Sequence, residues 1–177
     1  KWIVRCAEAW PAKIWADPAN KSDQNGSTFV KTLLAYVPSH ISLAAVVDAL
    51  LEACEAPSIV DLMSKDEVYV PARLQIDLCT SLLCIAAEHD DRTVVSRLLG
   101  AKASVSGADD NGRTALSHAA TNGNPELVKD LVLAGAKLNC LDADGFAPLS
   151  IACQEGHLHI AELLLQARAN VDGGLDE

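Results

Sequence analysis

Aromatic residues are scarce in this sequence: two Phe, two Tyr and three Trp make up 4% of 177 residues. Half of the chain is nevertheless hydrophobic, so any core is mostly Ala, Leu and Val. Side chains of that size suit close helix packing better than a β-sandwich. No apolar run approaches the ~20 residues that span a bilayer; the longest, Ile41 to Leu51, is short and broken by Asp48. A Gly-rich phosphate loop, a nucleophile elbow and a zinc-protease helix are all missing, so no catalytic residue and no cofactor is expected. The cysteines at positions 6, 54, 79, 84, 140 and 153 form no C-x-x-C pair and no zinc-finger spacing with histidine. Cys54, Cys84 and Cys153 fall within apolar helical patterns, where a thiol acts as a small hydrophobe. Reduced thiols, an intracellular reducing compartment and no metal site are the expectation. No signal peptide is visible, and the first residue is Lys rather than Met, which fits a removed leader, and hence an organelle, or a fragment.

Net charge is −10, and it is uneven. Up to Asp77 there are seven Lys/Arg and ten Asp/Glu; from Leu78 there are seven and fourteen, which is −3 against −7. An acidic field repels phosphate backbones and anionic lipid, so nucleic acid is disfavoured and a basic or mixed-charge protein surface is the easier partner.

A period of 33 residues organises the second half. Asn111-Gly112-Arg113-Thr114-Ala115-Leu116-Ser117-His118-Ala119-Ala120 aligns with Asp144-Gly145-Phe146-Ala147-Pro148-Leu149-Ser150-Ile151-Ala152-Cys153. Gly123 then meets Gly156, and the leucine-rich run at 131–133 meets that at 163–165. One step back lie Ser81-Leu82-Leu83-Cys84-Ile85-Ala86-Ala87, Val94-Val95 and Leu98-Leu99. Three units follow, at 78–110, 111–143 and 144–177. Each reads as turn, short helix, turn, longer helix, loop. Asp-Asn-Gly and Asp-Gly favour positive φ in the turn, Thr114 stands as a helix N-cap, and the paired alanines let neighbouring helices approach. One such unit cannot bury its apolar face alone; stacking several makes a continuous core.

This pattern resembles the ankyrin repeat, whose 33-residue unit carries a T-P-L-H-x-A-like stretch. Here the stretch is Thr114-Ala115-Leu116-Ser117-His118-Ala119 and Ala147-Pro148-Leu149-Ser150-Ile151-Ala152. The resemblance implies an all-α solenoid and a protein–protein interaction module, an adaptor or scaffold rather than an enzyme. The other readings are a permanently bound accessory subunit of a larger assembly and a regulatory segment of a longer enzyme. Two departures stand out. The family's His is replaced by Cys84, Ser117 and Ser150, which predicts turns tied less firmly to one another. The family's Gly after the second helix survives only as Gly135, with Lys102 and Arg168 at the equivalent positions. If those two take the left-handed conformation, each costs on the order of 1 kcal/mol.

The first half is less regular. Residues 25–57 read as a diverged repeat or a capping helical hairpin, with Val46-Val47-Asp48-Ala49-Leu50-Leu51 echoing the later leucine ridge. Residues 58–77 read as an inserted loop. Residues 1–24 hold all three tryptophans; Trp2 and Trp10 are candidate anchors into a partner, or a lid over the first repeat.

By the resemblance, partners meet the turn tips and the exposed end of each first helix. The candidate residues are Asp110, Asn111 and Arg113, then Asp144 and Phe146, with Glu88, His89, Asn122, Gln154 and Glu155 at the helix ends. Arg113, able to grip a carboxylate, and Phe146, an aromatic among polar neighbours, are expected to contribute most. His157 and His159, two apart on a helix, point about 200° away from each other and cannot share a metal; His157 is expected to serve the fold.

Overall fold

A computed structural model describes residues 42–48 and 72–171, with side chains from residue 79 onward in the second stretch. The chain divides into two compact units, Lys1–Cys79 and Thr80–Glu177. Of the first, residues 43–48 are helical, with Val46 and Val47 buried. The remainder of the expected 25–57 repeat, and Trp2 and Trp10, lie outside the described residues.

Six helices follow: α1 (Ala72–Glu88), α2 (Arg92–Gly100), α3 (Ala115–Asn122), α4 (Pro125–Leu133), α5 (Pro148–Gln154) and α6 (Leu158–Gln166). They pair as α1/α2, α3/α4 and α5/α6, in step with the 33-residue period. Among the described residues there is no strand, only an isolated antiparallel bridge between Ala108 and Thr114 at the neck of a turn. The helix boundaries correct one expectation. Residues 72–77, placed in the 58–77 loop by the repeat period, are the first turns of α1, which has 17 residues. The stretch Ala72-Arg73-Leu74-Gln75-Ile76-Asp77 contains no Gly or Pro to halt a helix.

The helices start where their caps allow. Thr114 accepts the Ser117 N–H at 3.2 Å, Asp91 accepts that of Val94, and Asn124 accepts those of Glu126 and Leu127, satisfying donors that a helix N-terminus leaves open. The core is the aliphatic one foreseen. Leu98, Leu116, Leu127, Leu131 and Leu164 are fully buried, as are Val94, Val95 and the pairs Ala86-Ala87 and Ala119-Ala120. Each buried Leu or Val is worth about 1.5–3 kcal/mol relative to exposure. α3 packs on α4 and α5, and α6 on α5 and α4.

All three second helices end in the same motif. After α2, Lys102 N–H donates to Leu99 O and Ala103 N–H to Leu98 O. After α4, Gly135 donates to Val132 and Ala136 to Leu131; after α6, Arg168 donates to Leu165 and Ala169 to Leu164. This is the Schellman geometry, which puts its first residue beyond the helix in the left-handed region. The φ values are 62° at Lys102, 88° at Gly135 and 70° at Arg168. The two non-glycine residues therefore do carry the strain that their positions suggested.

Neighbouring repeats are joined by a series of bonds. Asn122 Nδ2 donates to Ala87 O and Glu88 O at 2.8 and 2.9 Å. Ser106 Oγ accepts Lys137 N–H, and Asn139 Oδ1 accepts Asn170 N–H. One pair of positions changes hands between interfaces. At the first, Asp90 Oδ1 accepts from Asn124 Nδ2 at 2.7 Å. At the second, the equivalents are Gly123 and His157, and His157 Nε2 lies 3.0 Å from Thr121 O. A Cβ on Gly123 would fall 2.6 Å from the His157 ring. The imidazole fits because position 123 has no side chain, and φ of 77° there suits glycine independently.

Candidate protein-binding face

Two turns project from the stack, around Asp109–Arg113 and Asp142–Phe146. Each is closed by its first aspartate. Asp109 Oδ1 accepts the N–H groups of Asn111 and Arg113, both at 2.9 Å. Asp142 Oδ1 accepts those of Asp144 at 3.1 Å and Phe146 at 2.8 Å. The second oxygens differ. With each turn counted with the helix it leads into, Asp109 Oδ2 meets His118 Nε2 of its own repeat at 2.9 Å, whereas Asp142 Oδ2 accepts Arg113 Nε of the preceding repeat at 3.3 Å.

The turns are firmly joined, contrary to the looseness that the missing histidine implied. Ala143 N–H donates to Asn111 O at 2.8 Å, and the Arg113–Asp142 ion pair lies beside it. One interface earlier, the Cys84 thiol stands in the histidine's position and donates to Gly107 O and Arg113 O, each at 3.7 Å. Gly107 admits this approach; a Cβ there would fall 1.8 Å from Thr80 Cγ2. Ser117, in the same position of the next repeat, is fully buried and bonded to the Thr114 hydroxyl at 3.1 Å.

The candidate residues thus fall into two groups. Asp110, Asn111, Asp144, Glu88, His89, Gln154 and Glu155 are exposed along one side of the stack. Arg113 and Asn122 are committed to the fold. Arg113 is one-third exposed but bonded to an Asp142 carboxylate that is only 1% exposed, and the Asn122 amide is spent on two carbonyls of α1. Phe146 is half-buried rather than standing free. Periodicity found these positions but not their bonding, because partners 29 to 36 residues away depend on how repeats stack. With Arg113 paired, the exposed tips and helix ends carry Asp110, Asp144, Glu88 and Glu155, and the face is acidic.

The one grouping here that resembles catalytic machinery is Cys84, His118 and Asp109. Burial, reinforced by the Asp109 charge, pushes the Cys84 thiol up to about 12. A nucleophilic cysteine needs the opposite shift, so this thiol is a hydrogen-bond donor. Among the described residues, no cluster of three or more His, Cys, Asp or Glu is placed to hold a metal, Cys84, Cys140 and Cys153 are free thiols, and no helix is long and apolar enough to cross a membrane.

Comparison with known proteins agrees with the period. The family described as "Ankyrin repeats (3 copies)" matches residues 81–173. The NAD-capped RNA hydrolase NUDT12 of Homo sapiens is 33% identical over 99 residues, covering 56% of this chain and 21% of that protein. Protein phosphatase 1 regulatory subunit 27 of Mus musculus is 38% identical over 88 residues, covering 49% of this chain and 57% of the relative. The chain therefore spans about a fifth of the first relative's length and little more than half of the second's. A chain in the solved complex of the Bd0816 predatory endopeptidase from Bdellovibrio bacteriovorus with immunity protein Bd3460 is 34% identical, with a TM-score of 0.49, over 51% of this chain and 47% of that one.

Proposed function

Because the chain belongs to the ankyrin-repeat family, we propose that it holds a partner protein, without chemistry of its own, on the acidic side formed by its turn tips and inner helix ends. The observation that carries this reading is the locking of the two turns to each other. Ala143 N–H on Asn111 O and Arg113 on Asp142 hold the Asn111 and Asp144 side chains in a set order, so binding need not order the loops first. The partner surface is basic or of mixed charge, matching Asp110, Asp144, Glu88 and Glu155. Phe146 offers a half-buried aromatic edge among these polar groups.

Arg113 is a poor probe of this face. Removing it strips the counter-charge from the buried Asp142, so lost stability would pass for lost binding. Charge reversal at exposed positions is cleaner. In native extract, crosslinking and mass spectrometry with the unaltered chain and with Asp144→Lys/Glu155→Lys should give partner crosslinks near the tips that the double variant loses. Crosslinks that map elsewhere and survive the substitutions refute the reading.

A second reading, a permanently bound accessory subunit, draws on α6, where Leu158 is 76% exposed alongside Leu165 and Val171. It differs in its outcome for the isolated chain, which aggregates in that case and stays monodisperse if it is an adaptor.

A further inference from the structure

Along the second helices α2 and α4 lies an open groove of about 920 Å³, whose lining shares only His89 with the candidate residues of the tip face. One end is lined by Asp90, Asp91 and Arg92 at the start of α2, the other by Leu99 and Leu133 at the ends of α2 and α4, and Asp130 of α4 also faces it. Leu133 is 86% exposed, the most of any large hydrophobic side chain among the described residues. A leucine there gains nothing for the free fold.

The charges are as lopsided as the apolar end. Three aspartates face one arginine, a formal −2. That arginine is already taken: Arg92 Nη2 donates to Asp130 Oδ1 at 3.1 Å, Nε donates to the other oxygen, and Glu126 approaches to 3.9 Å. Asp90 receives only the neutral amide of Asn124, so its charge is uncompensated by that bond. Asp91 stays ionised, its carboxyl held below the ordinary range chiefly by the Thr93 hydroxyl.

We propose that this groove is a second docking site, and that its occupant is a basic amphipathic segment of a partner protein. A Lys or Arg would lie against Asp90 and Asp91, and an aliphatic side chain would cover Leu99 and Leu133. From Arg92 to Leu99 is seven residues of helix, roughly 10 Å at 1.5 Å per residue. A helical ligand spans that with its cation and its aliphatic residue seven positions apart, and an extended one with about three. Anionic lipid and nucleic acid are disfavoured by the same carboxylates.

A fluorescein-labelled 12-residue Lys/Leu helical peptide with Lys and Leu seven positions apart tests this on the full chain. Amide shifts in isotope-labelled protein should cluster at Ser96, Leu99 and Leu133. Leu133→Ser, at a solvent-exposed position, and Asp90→Asn, which keeps a side chain of the same shape, should each weaken binding by about ten-fold, the range of a modest interface contact, and Leu133→Ser, which touches no bond between repeats, should do so with unchanged thermal stability. The Asp144→Lys/Glu155→Lys variant should bind as before, which separates this site from the tip face. The proposal fails if the peptide does not bind, if the shifts lie at Asn111 and Asp144, or if Leu133→Ser binds unchanged.

Discussion

Lys102 and Arg168 occupy a backbone position that the third member of the set, Gly135, fills without strain, and the chain supplies its own control for what that costs. A non-glycine residue in the left-handed region pays about 1–2 kcal/mol. Glycine removes that strain but loses about 0.5–1 kcal/mol more conformational freedom on folding. The net gain from Lys102→Gly or Arg168→Gly is then about 0.5–1 kcal/mol each. Both side chains are exposed, so little packing is forfeited. The sites lie two repeats apart, and their effects should add. For a unit of about 100 residues, 1 kcal/mol moves Tm by roughly 4–8 °C, so the double variant should melt about 4–16 °C higher. Gly135→Lys is the reverse experiment. A Cβ on Gly135 meets nothing within 4 Å, so its expected loss of about 0.5–1 kcal/mol reports the same balance of backbone strain and chain entropy, with no steric clash added. Thermal melts and urea midpoints, with unchanged m-values, measure all three. A double variant that melts at or below the parent temperature refutes the argument, as does a neutral Gly135→Lys.

Two further outcomes follow from groups already described. Asp91→Ala removes an N-cap and should cost about 1 kcal/mol at neutral pH. The Asp91 carboxyl is lowered from 3.8 in the fold, so its ionisation stabilises the protein above that value and ceases to do so as pH falls through the folded one. Urea midpoints of parent and variant should accordingly converge in acid, and a gap that widens there contradicts this. Cys84, pushed up to about 12, should resist iodoacetamide at mildly alkaline pH while the exposed Cys153 reacts. Peptide mapping that finds the two equally labelled in the native protein overturns the assignment of a buried, protonated donor.

Whatever repeats within 33 residues was legible in advance. The Thr114 cap, the alanine pairs and the Val/Leu ridge follow from local chemistry plus the period, while the left-handed backbone at Lys102 and Arg168 was suggested only through the ankyrin resemblance, by the glycine the family carries there. What relates one repeat to the next was not. Nothing in the order of residues says that Arg113 reaches forward to Asp142, that the Asn122 amide closes the end of α1, or that the Cys84 thiol bonds to Gly107 O and Arg113 O. Each depends on the offset between stacked units. The extent of α1 escaped for a different reason: the period predicts a repeat's length, and residues 72–77 extend the helix beyond it. The candidate tip residues were named by position alone; that Arg113 is paired with Asp142 depends on the stacking.

The bonds between repeats join residues 29 to 38 apart, about one period each, and none of those described skips a repeat. Order can therefore spread only to an adjacent unit, as in a zipper rather than a clasp. The repeat at 111–143 bonds to described neighbours on both sides, which makes it the natural nucleus from which the outer two are recruited. It also divides the consequences of damage. Weakening Asn122 or Asn124 loosens the first repeat, loss of His157 or Arg113 loosens the third, and in either case the remaining pair still has a complete interface.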